Sequence, residues 1–372
     1  MIKVIFAGDL IPTIKNGFQY SEELTLKIKD SFLSLINLEA PITNSTNPIK
    51  KIGNNFKASI SDLALSEKFN FTHYCLSNNH IMDYGEEGLN DTIKELSKNN
   101  NKYFGAGKNL NEAKAPLVLE ENELKLAFIN ACDKEFSIAT DKRPGANPFD
   151  IVEIYIQVIE LKKSVDKVFL IYHGGLEYYP LPTPTQRKNL RFLIDIGLDG
   201  IICHHTHIFG TYEYYKNKPI FYSLGNFYSP TNRQMPTEYY ESAILTLNIK
   251  KDIIDHELFP IKFNNEGIFS MKDSEVEKFN KRIMRYNQIL ADDIEYENNW
   301  QKVLDERKNY YSNIISRFNN RYIKKLRKLK IIPQPSYTSK KAVQLLNVLR
   351  CDAHRETLID ILEKDYRKIY EK

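Results

Sequence analysis

Short apolar runs alternate with helix-patterned stretches up to about residue 265, and this alternation constrains the fold more than any other feature of the chain. The runs are 2–7, 34–39, 72–77, 125–131, 167–172, 199–203, 219–224 and 242–250. Helical spacing marks 21–32, 61–68, 86–99, 150–164 and 184–196. Strands alternating with helices call for an α/β layered fold. Several runs are apolar nearly throughout, as strands covered on both faces are, and antiparallel pairing is expected toward the end of the series. Past Pro260 the texture changes. Residues 273–330 contain no proline or glycine and predict one long helix; 338–350 and 352–370 predict two more beyond Pro333 and Pro335. The domain boundary is placed at 265, with a body over 1–265 and a helical extension over 266–372.

Five of the runs empty into side chains that can bind metal. Gly8-Asp9 follows the first, and Asn37-Leu38-Glu39-Ala40-Pro41 closes the second. Ser77-Asn78-Asn79-His80, with Asp83 soon after, follows the third. His173-Gly174-Gly175-Leu176-Glu177 follows 167–172, and Gly200-Ile201-Ile202-Cys203 opens directly onto His204, His205 and His207. In open α/β sheets ligands collect at the carboxyl ends of strands. An H-x-H pair in extended backbone sends both rings to one face, which leaves His204 facing away. Taken singly, each cluster also fits a dull role: Asp9 a turn or cap, Asn78-Asn79 a turn pair, His173 a structural histidine. Gathered on one sheet edge, mixed Asp, Asn and His donors suit Mn, Fe or Zn, and two ions with a bridging carboxylate can clamp a phosphoryl group.

The ordered motifs Gly8-Asp9, Asn37-Leu38-Glu39-x-Pro41, Asn78-Asn79-His80-x-x-Asp83-x-Gly85, Gly105-Ala106-Gly107, His173-Gly174-Gly175-x-Glu177-Tyr178, His204-His205-x-His207 and Tyr222-Ser223-Leu224-Gly225-Asn226-Phe227 resemble the CapA family. These are capsule or poly-γ-glutamate biosynthesis proteins related to calcineurin-like metallophosphoesterases. The resemblance spans about residues 2–260 and implies a four-layer α/β/β/α sandwich holding one or two divalent transition metals. Carried over by motif, Asp9, Glu39 and His207 would hold one ion; Glu39 would bridge to a second that also takes Asn79, His173 and His205. His80 would assist the leaving group or stabilise phosphoryl charge, with Asp9 also counted in the catalytic set. Glu177, Tyr178 and Asn226 would face substrate, although Glu177 and Tyr178 fit equally well as supports that orient His173. The phosphoesterase pattern opens with Asp-x-His, whereas this chain reads Asp9-Leu10-Ile11. Ile11 cannot ligate, so the first ion is left with three protein donors, and one tight and one weak site are expected.

The implied activity is a metal-dependent hydrolase, a phosphoesterase on a phosphorylated or anionic glycan or polymer precursor. The alternatives are a non-catalytic metal-binding subunit of a capsule or poly-γ-glutamate synthesis complex, or hydrolysis or transfer at a γ-glutamyl amide. Cys75, Cys132, Cys203 and Cys351 are far apart with no C-x-x-C pairing, which points to a reducing compartment. No signal peptide or membrane-length apolar run is evident, so a cytoplasmic location is expected. From residue 271 onward 23 basic residues face 15 acidic ones, against 29 and 33 before it. Arg317, Arg321, Lys324, Lys325, Arg327, Lys328 and Lys330 stand without an acidic neighbour, beside a stripe of Tyr322, Ile323, Leu326 and Leu329. That segment suits contact with an anionic membrane surface or packing on the body through its stripe. No nucleic-acid recognition motif appears, and none is expected to bind.

Overall fold

The computed structural model describes residues 1–13, 17–51, 53–315 and 339–370. Its axis is the strand Ile2–Leu10, apolar on both faces and therefore covered on both. That strand pairs in parallel with Leu33–Leu38 and antiparallel with Glu241–Ile249. The sheet continues through His73–Cys75 and Lys102–Phe104 on one side and through Ile254–Asn264 and Gly267–Ser270 on the other. A second sheet runs in the order Tyr212–Tyr215, Lys218–Phe221, Gly200–His204, Lys167–His173, Leu124–Cys132, Leu117–Glu121.

Period-two alternation sorts the side chains into layers. Ile5 and Ala7 face Leu24, Ile28, Leu89 and Leu96 of the helices Glu22–Lys29 and Gly85–Lys98. Val4 and Phe6 point the other way, toward the second sheet, where the Phe6 and Phe128 rings lie 6.3 Å apart. On the far face of that sheet, Ile129, Val168 and Leu170 meet Ile154, Val158, Leu190 and Leu193 of the helices Ile151–Leu161 and Pro184–Asp195. The result is a four-layer α/β/β/α sandwich. Each fully buried Leu, Ile, Val or Phe contributes roughly 1.5–3 kcal/mol to holding the layers together.

All eight expected runs contribute strands, and the antiparallel pairing does come late in the chain. Several strands lie outside the expected runs, the longest of them Leu117–Glu121 and Ile254–Asn264. The first reaches its partner through Asn122 and Glu123, both left-handed (φ 48° and 62°). The second is broken in pattern by Asp255, Glu257 and Pro260.

The single helix expected over 273–330 is, within the described residues, two: Asp273–Ala291 and Asp293–Ile315. Asp292 breaks it. Its backbone is extended (φ −100°, ψ 106°), and its carboxylate accepts from the Ile294 and Glu295 amides at 2.9 and 3.0 Å, which caps the second helix. Helices Ser339–Arg350 and Asp352–Tyr370 follow as expected. Trp300, Tyr311, Val348 and Leu358 join the core outside the second sheet, and the Trp300 indole donates to Asp360 at 2.7 Å. The basic run 317–330 lies outside the described residues. Among the described residues no helix is long and apolar enough to cross a membrane.

Candidate metal centre

The carboxyl ends of the central strands of both sheets converge on one buried cluster. Asp9 lies near the end of the first strand, and Asn37 and Glu39 come from the end of its neighbour. Asn79 and His80 follow His73–Cys75, His173 ends its own strand, and His204 ends the next. Asn226 opens the short strand Asn226–Tyr228, which runs parallel to the first strand with Asp9 and Asn226 as register partners. Glycine is required where these strands meet: a Cβ on Gly8 would lie 2.0 Å from the Gly225 carbonyl oxygen. Asp9, Glu39, Asn79, His80, His173, His205, His207 and Asn226 are all buried.

Glu39 stands at the junction of two donor groups. In one, Glu39 joins His173 and His205; in the other it joins Asp9 and His207, and within each group the ligand atoms lie within 4.8 Å of one another. His173 Nε2 is 3.4 Å from Glu39 Oε1, 3.0 Å from Asn79 Oδ1 and 3.1 Å from His205 Nδ1. His207 Nδ1 is 3.7 Å from Asp9 Oδ2, 3.8 Å from Glu39 Oε2 and 3.0 Å from Asn226 Oδ1. Asn37, for which the sequence suggests no role, donates to Asp9 Oδ1 at 2.6 Å and lies 3.1 Å from His173 Nδ1.

The histidine triplet meets the centre differently from expectation. The strand stops at His204, and His205 and His207 adopt left-handed backbone (φ 91° and 61°). A non-glycine residue held there costs of order 1–3 kcal/mol, a strain that collects at functional sites. Alternation therefore ends at His204. Its ring faces inward, with Nδ1 3.3 Å from Asp9 Oδ1, rather than away from the cluster. The backbone amide of His205 also donates to Asp9, at 3.1 Å.

His80 sits at the rim of the cluster, its ring 4.4 Å from that of Phe56. Its Nδ1 lies 2.7 Å from Asp83 Oδ2 and 2.9 Å from Lys51 Nζ, while Lys51 pairs with the other oxygen of Asp83. Both charges of that pair are buried, and Phe56 N–H adds a third donor to Asp83 at 2.6 Å. Lys51 leaves no signal in the sequence because it lies in an irregular loop, far from any strand end. Glu135 is likewise new: it accepts from Asn79 Nδ2 at 3.5 Å. Tyr178 is left-handed (φ 61°) and exposed, its ring 6.0 Å from that of His207, and its amide donates to the Thr206 carbonyl at 2.9 Å. The helical extension reaches the same rim, where Arg307 donates to the Glu177 carbonyl at 2.5 Å and His354 Nδ1 lies 2.7 Å from Tyr311 Oη.

Burial shapes the electrostatics. It pushes the Glu39 carboxyl well above its ordinary value, and the Asp9 charge adds to the effect. Burial opposes ionisation of Asp9 as well, but His204, His173 and His207 overcome it and hold that carboxyl low. Burial depresses His173 strongly and His205 to about 4, which keeps both imidazoles neutral and able to ligate. Glu177 is also raised by burial, yet His205, His207 and His354 bring it below the usual range. Among the described residues neither Glu39 oxygen has a hydrogen-bond partner, although both are buried. A buried carboxylate without donors costs several kcal/mol unless a cation meets it. This donor set fits divalent transition metal.

Residues 4–231 match the family model described as "Bacterial capsule synthesis protein PGA_cap". The chain belongs to this family. Among relatives of this PGA_cap member, the PGA biosynthesis protein CapA of Bacillus subtilis (strain 168) is 35% identical over 243 residues, 63% of this chain and 61% of that protein. The capsule biosynthesis protein CapA of Bacillus anthracis is 36% identical over 163 residues, 42% and 40% of the two chains. The PGA_cap member thus spans less than two thirds of the length of these relatives. A solved structure of a hypothetical protein from Thermus thermophilus is 13% identical with a TM-score of 0.42, over 70% of this chain and 99% of that one. The matched segment holds every donor of the cluster, whereas Arg307 and His354 lie beyond it.

Proposed function

We propose that this PGA_cap member is a metal-dependent hydrolase acting on a phosphoester of a cell-surface glycan or polymer precursor. One observation carries the reading: Glu39, buried and without a hydrogen-bond donor among the described residues, is shared by two groups of imidazole and carboxylate donors. Asp9, Glu39 and His207 would hold one ion, and Glu39, Asn79, His173 and His205 the other, with Mn, Fe or Zn the fitting metals. Bound divalent ions neutralise charge at a phosphoryl group and activate water as the nucleophile.

The chain's own residues do the rest. Asp83, able only to accept, engages His80 at Nδ1 and leaves Nε2 as the nitrogen that would exchange a proton with the leaving or phosphoryl oxygen. Lys51 neutralises Asp83 and keeps that pair in place. Glu177 and Tyr178 form the substrate-facing wall. A cavity of about 780 Å³ opens beside Glu135, lined by Lys134, Arg143, Arg350, Leu110 and Ile156, with room for the non-reacting part of an extended substrate.

The test is metal counting followed by turnover of a phosphomonoester, a phosphodiester and a γ-glutamyl peptide by the loaded protein. Phosphoester turnover that drops on His80→Ala with metal retained supports the reading. Turnover of the peptide alone assigns the chain to γ-glutamyl amide chemistry. Ile11, which occupies a ligand position of the phosphoesterase pattern, favours the second reading, a non-catalytic metal-stabilised subunit of a capsule or poly-γ-glutamate synthesis complex. Stoichiometric metal with no turnover of any of the three selects it.

A further inference from the structure

We infer that Asn226 is a metal ligand, supplying through Oδ1 the donor that Ile11 cannot. The inference rests on the two-ion reading above and adds to it a residue that the motif comparison turns toward substrate. Three observations carry it.

Asn226 is the register partner of Asp9 on an adjacent parallel strand. Side chains at one level of neighbouring strands project to the same face, so the amide and the Asp9 carboxylate enter the cluster together. The amide's orientation is then fixed by its own nitrogen: Nδ2 donates to the His207 carbonyl at 3.1 Å and to the Tyr239 carbonyl at 3.2 Å. Both donors being used, Oδ1 is left to face His207 Nδ1 at 3.0 Å, its side-chain hydrogen-bond partner among the described residues. Asn226 is wholly buried, so no bulk water competes for that oxygen.

The third observation is a likeness between the two halves of the centre. Asn79 Oδ1 lies 3.0 Å from His173 Nε2, the same amide-to-imidazole separation as Asn226 to His207. Two donors roughly 2.1 Å from one ion and at right angles are roughly 3 Å apart. Each half therefore offers an amide oxygen beside an imidazole nitrogen and shares Glu39. With Asn226 counted, the Asp9 half has four protein donors, and the expected deficit at Ile11 disappears. Ile11 itself is buried, and its amide donates to the Tyr228 carbonyl at 2.8 Å.

The test uses the full chain equilibrated with Mn²⁺, washed, and counted by plasma mass spectrometry, with electron paramagnetic resonance to record whether two ions are exchange-coupled. The expected wild-type result is two coupled ions. Asn226→Ala is expected to keep one ion, with an uncoupled six-line spectrum, and Asn226→Asp to keep two, because a carboxylate oxygen replaces the amide oxygen. Two coupled ions of wild-type affinity in Asn226→Ala overturn the inference while leaving the two-ion reading intact. Should Asn226→Ala fail to melt cooperatively, Asn226→Asp decides: second-ion affinity at or above wild type supports ligation, and a fall of about ten-fold or more overturns it. A wild-type chain holding no stoichiometric ion under any loading overturns both.

Discussion

The two halves of the centre are built by different means. Around His173 two donors sit in ordinary backbone, His173 closing its strand and Asn79 lying a short turn past Cys75, while the third, His205, is left-handed at φ 91°. Around His207 a left-handed histidine is joined by a tight glycine junction. His207 is left-handed, Gly225 is left-handed at φ 69°, and Gly8 tolerates a carbonyl where no side chain would fit. Each half carries one left-handed histidine, and the Asp9 half also needs the close approach of Gly8 to Gly225. Backbone packed as closely as Gly8 on Gly225 has no room for an added Cβ, so the Asp9–His207 half should be the more sensitive to changes in the residues around it.

The largest expected effect tests what the halves share. Glu39→Gln removes the bridging charge, and both ions should be lost, with turnover down by roughly 10³-fold or more. Metal counting and a phosphoester assay read the two outcomes, and retention of both ions would break the bridge. Next, His205→Ala and His207→Ala should each cost one ion, and calorimetric titration should place the remaining ion's affinity within about ten-fold in the two variants. A difference beyond about 100-fold would restore the unequal pair expected from Ile11.

A smaller effect is expected at the rim. Lys51→Met should lower turnover by roughly 10-fold with both ions bound, since Asp83 loses its counter-charge and holds His80 less firmly. Partial rescue by Lys51→Arg, followed as the kcat change, separates this from general instability. The smallest effect concerns stability. Burial, then the charges of Asp133 and Glu177, raise the Glu135 carboxyl to about 8 in the metal-free protein. The folded state then binds that proton more tightly than the unfolded one, whose carboxyl keeps its ordinary value near 4.5. The stabilisation is complete below pH 4.5 and is lost as pH rises through 8. Glu135→Gln should flatten that decline by about 2–4 °C in Tm, and an unchanged slope would remove Glu135 as its source.

Much of the centre is legible in the sequence because parallel α/β sheets put function at strand ends, and local motifs mark strand ends. Asp9, Glu39, Asn79, His173, His205 and His207 each close or follow an apolar run, and the fold gathers all six. His204 escapes such a reading because period-two alternation holds only as far as the strand does, and local sequence does not announce a left-handed residue at His205. Lys51, Asn37 and Glu135 are silent for a related reason. Their partners lie at positions 83, 9 and 79, and nothing in their neighbours records those contacts. In the helical extension, the pattern carries the residues' helical state but not the break, since one Asp292 carboxylate capping the next helix outweighs an uninterrupted run of helix formers.

The sequence by itself determined the layered class, the order of the strands that carry chemistry, the donor types and the family, because these follow from periodicity and from motifs a few residues long. Tertiary structure decided which amide oxygens face the cluster, that His204 leans on Asp9, and that Arg307 and His354 of the extension border a site built by the body. Those contacts join residues far apart in the chain. Their energies depend on register, burial and shared neighbours, quantities that exist only once the two sheets have closed on each other.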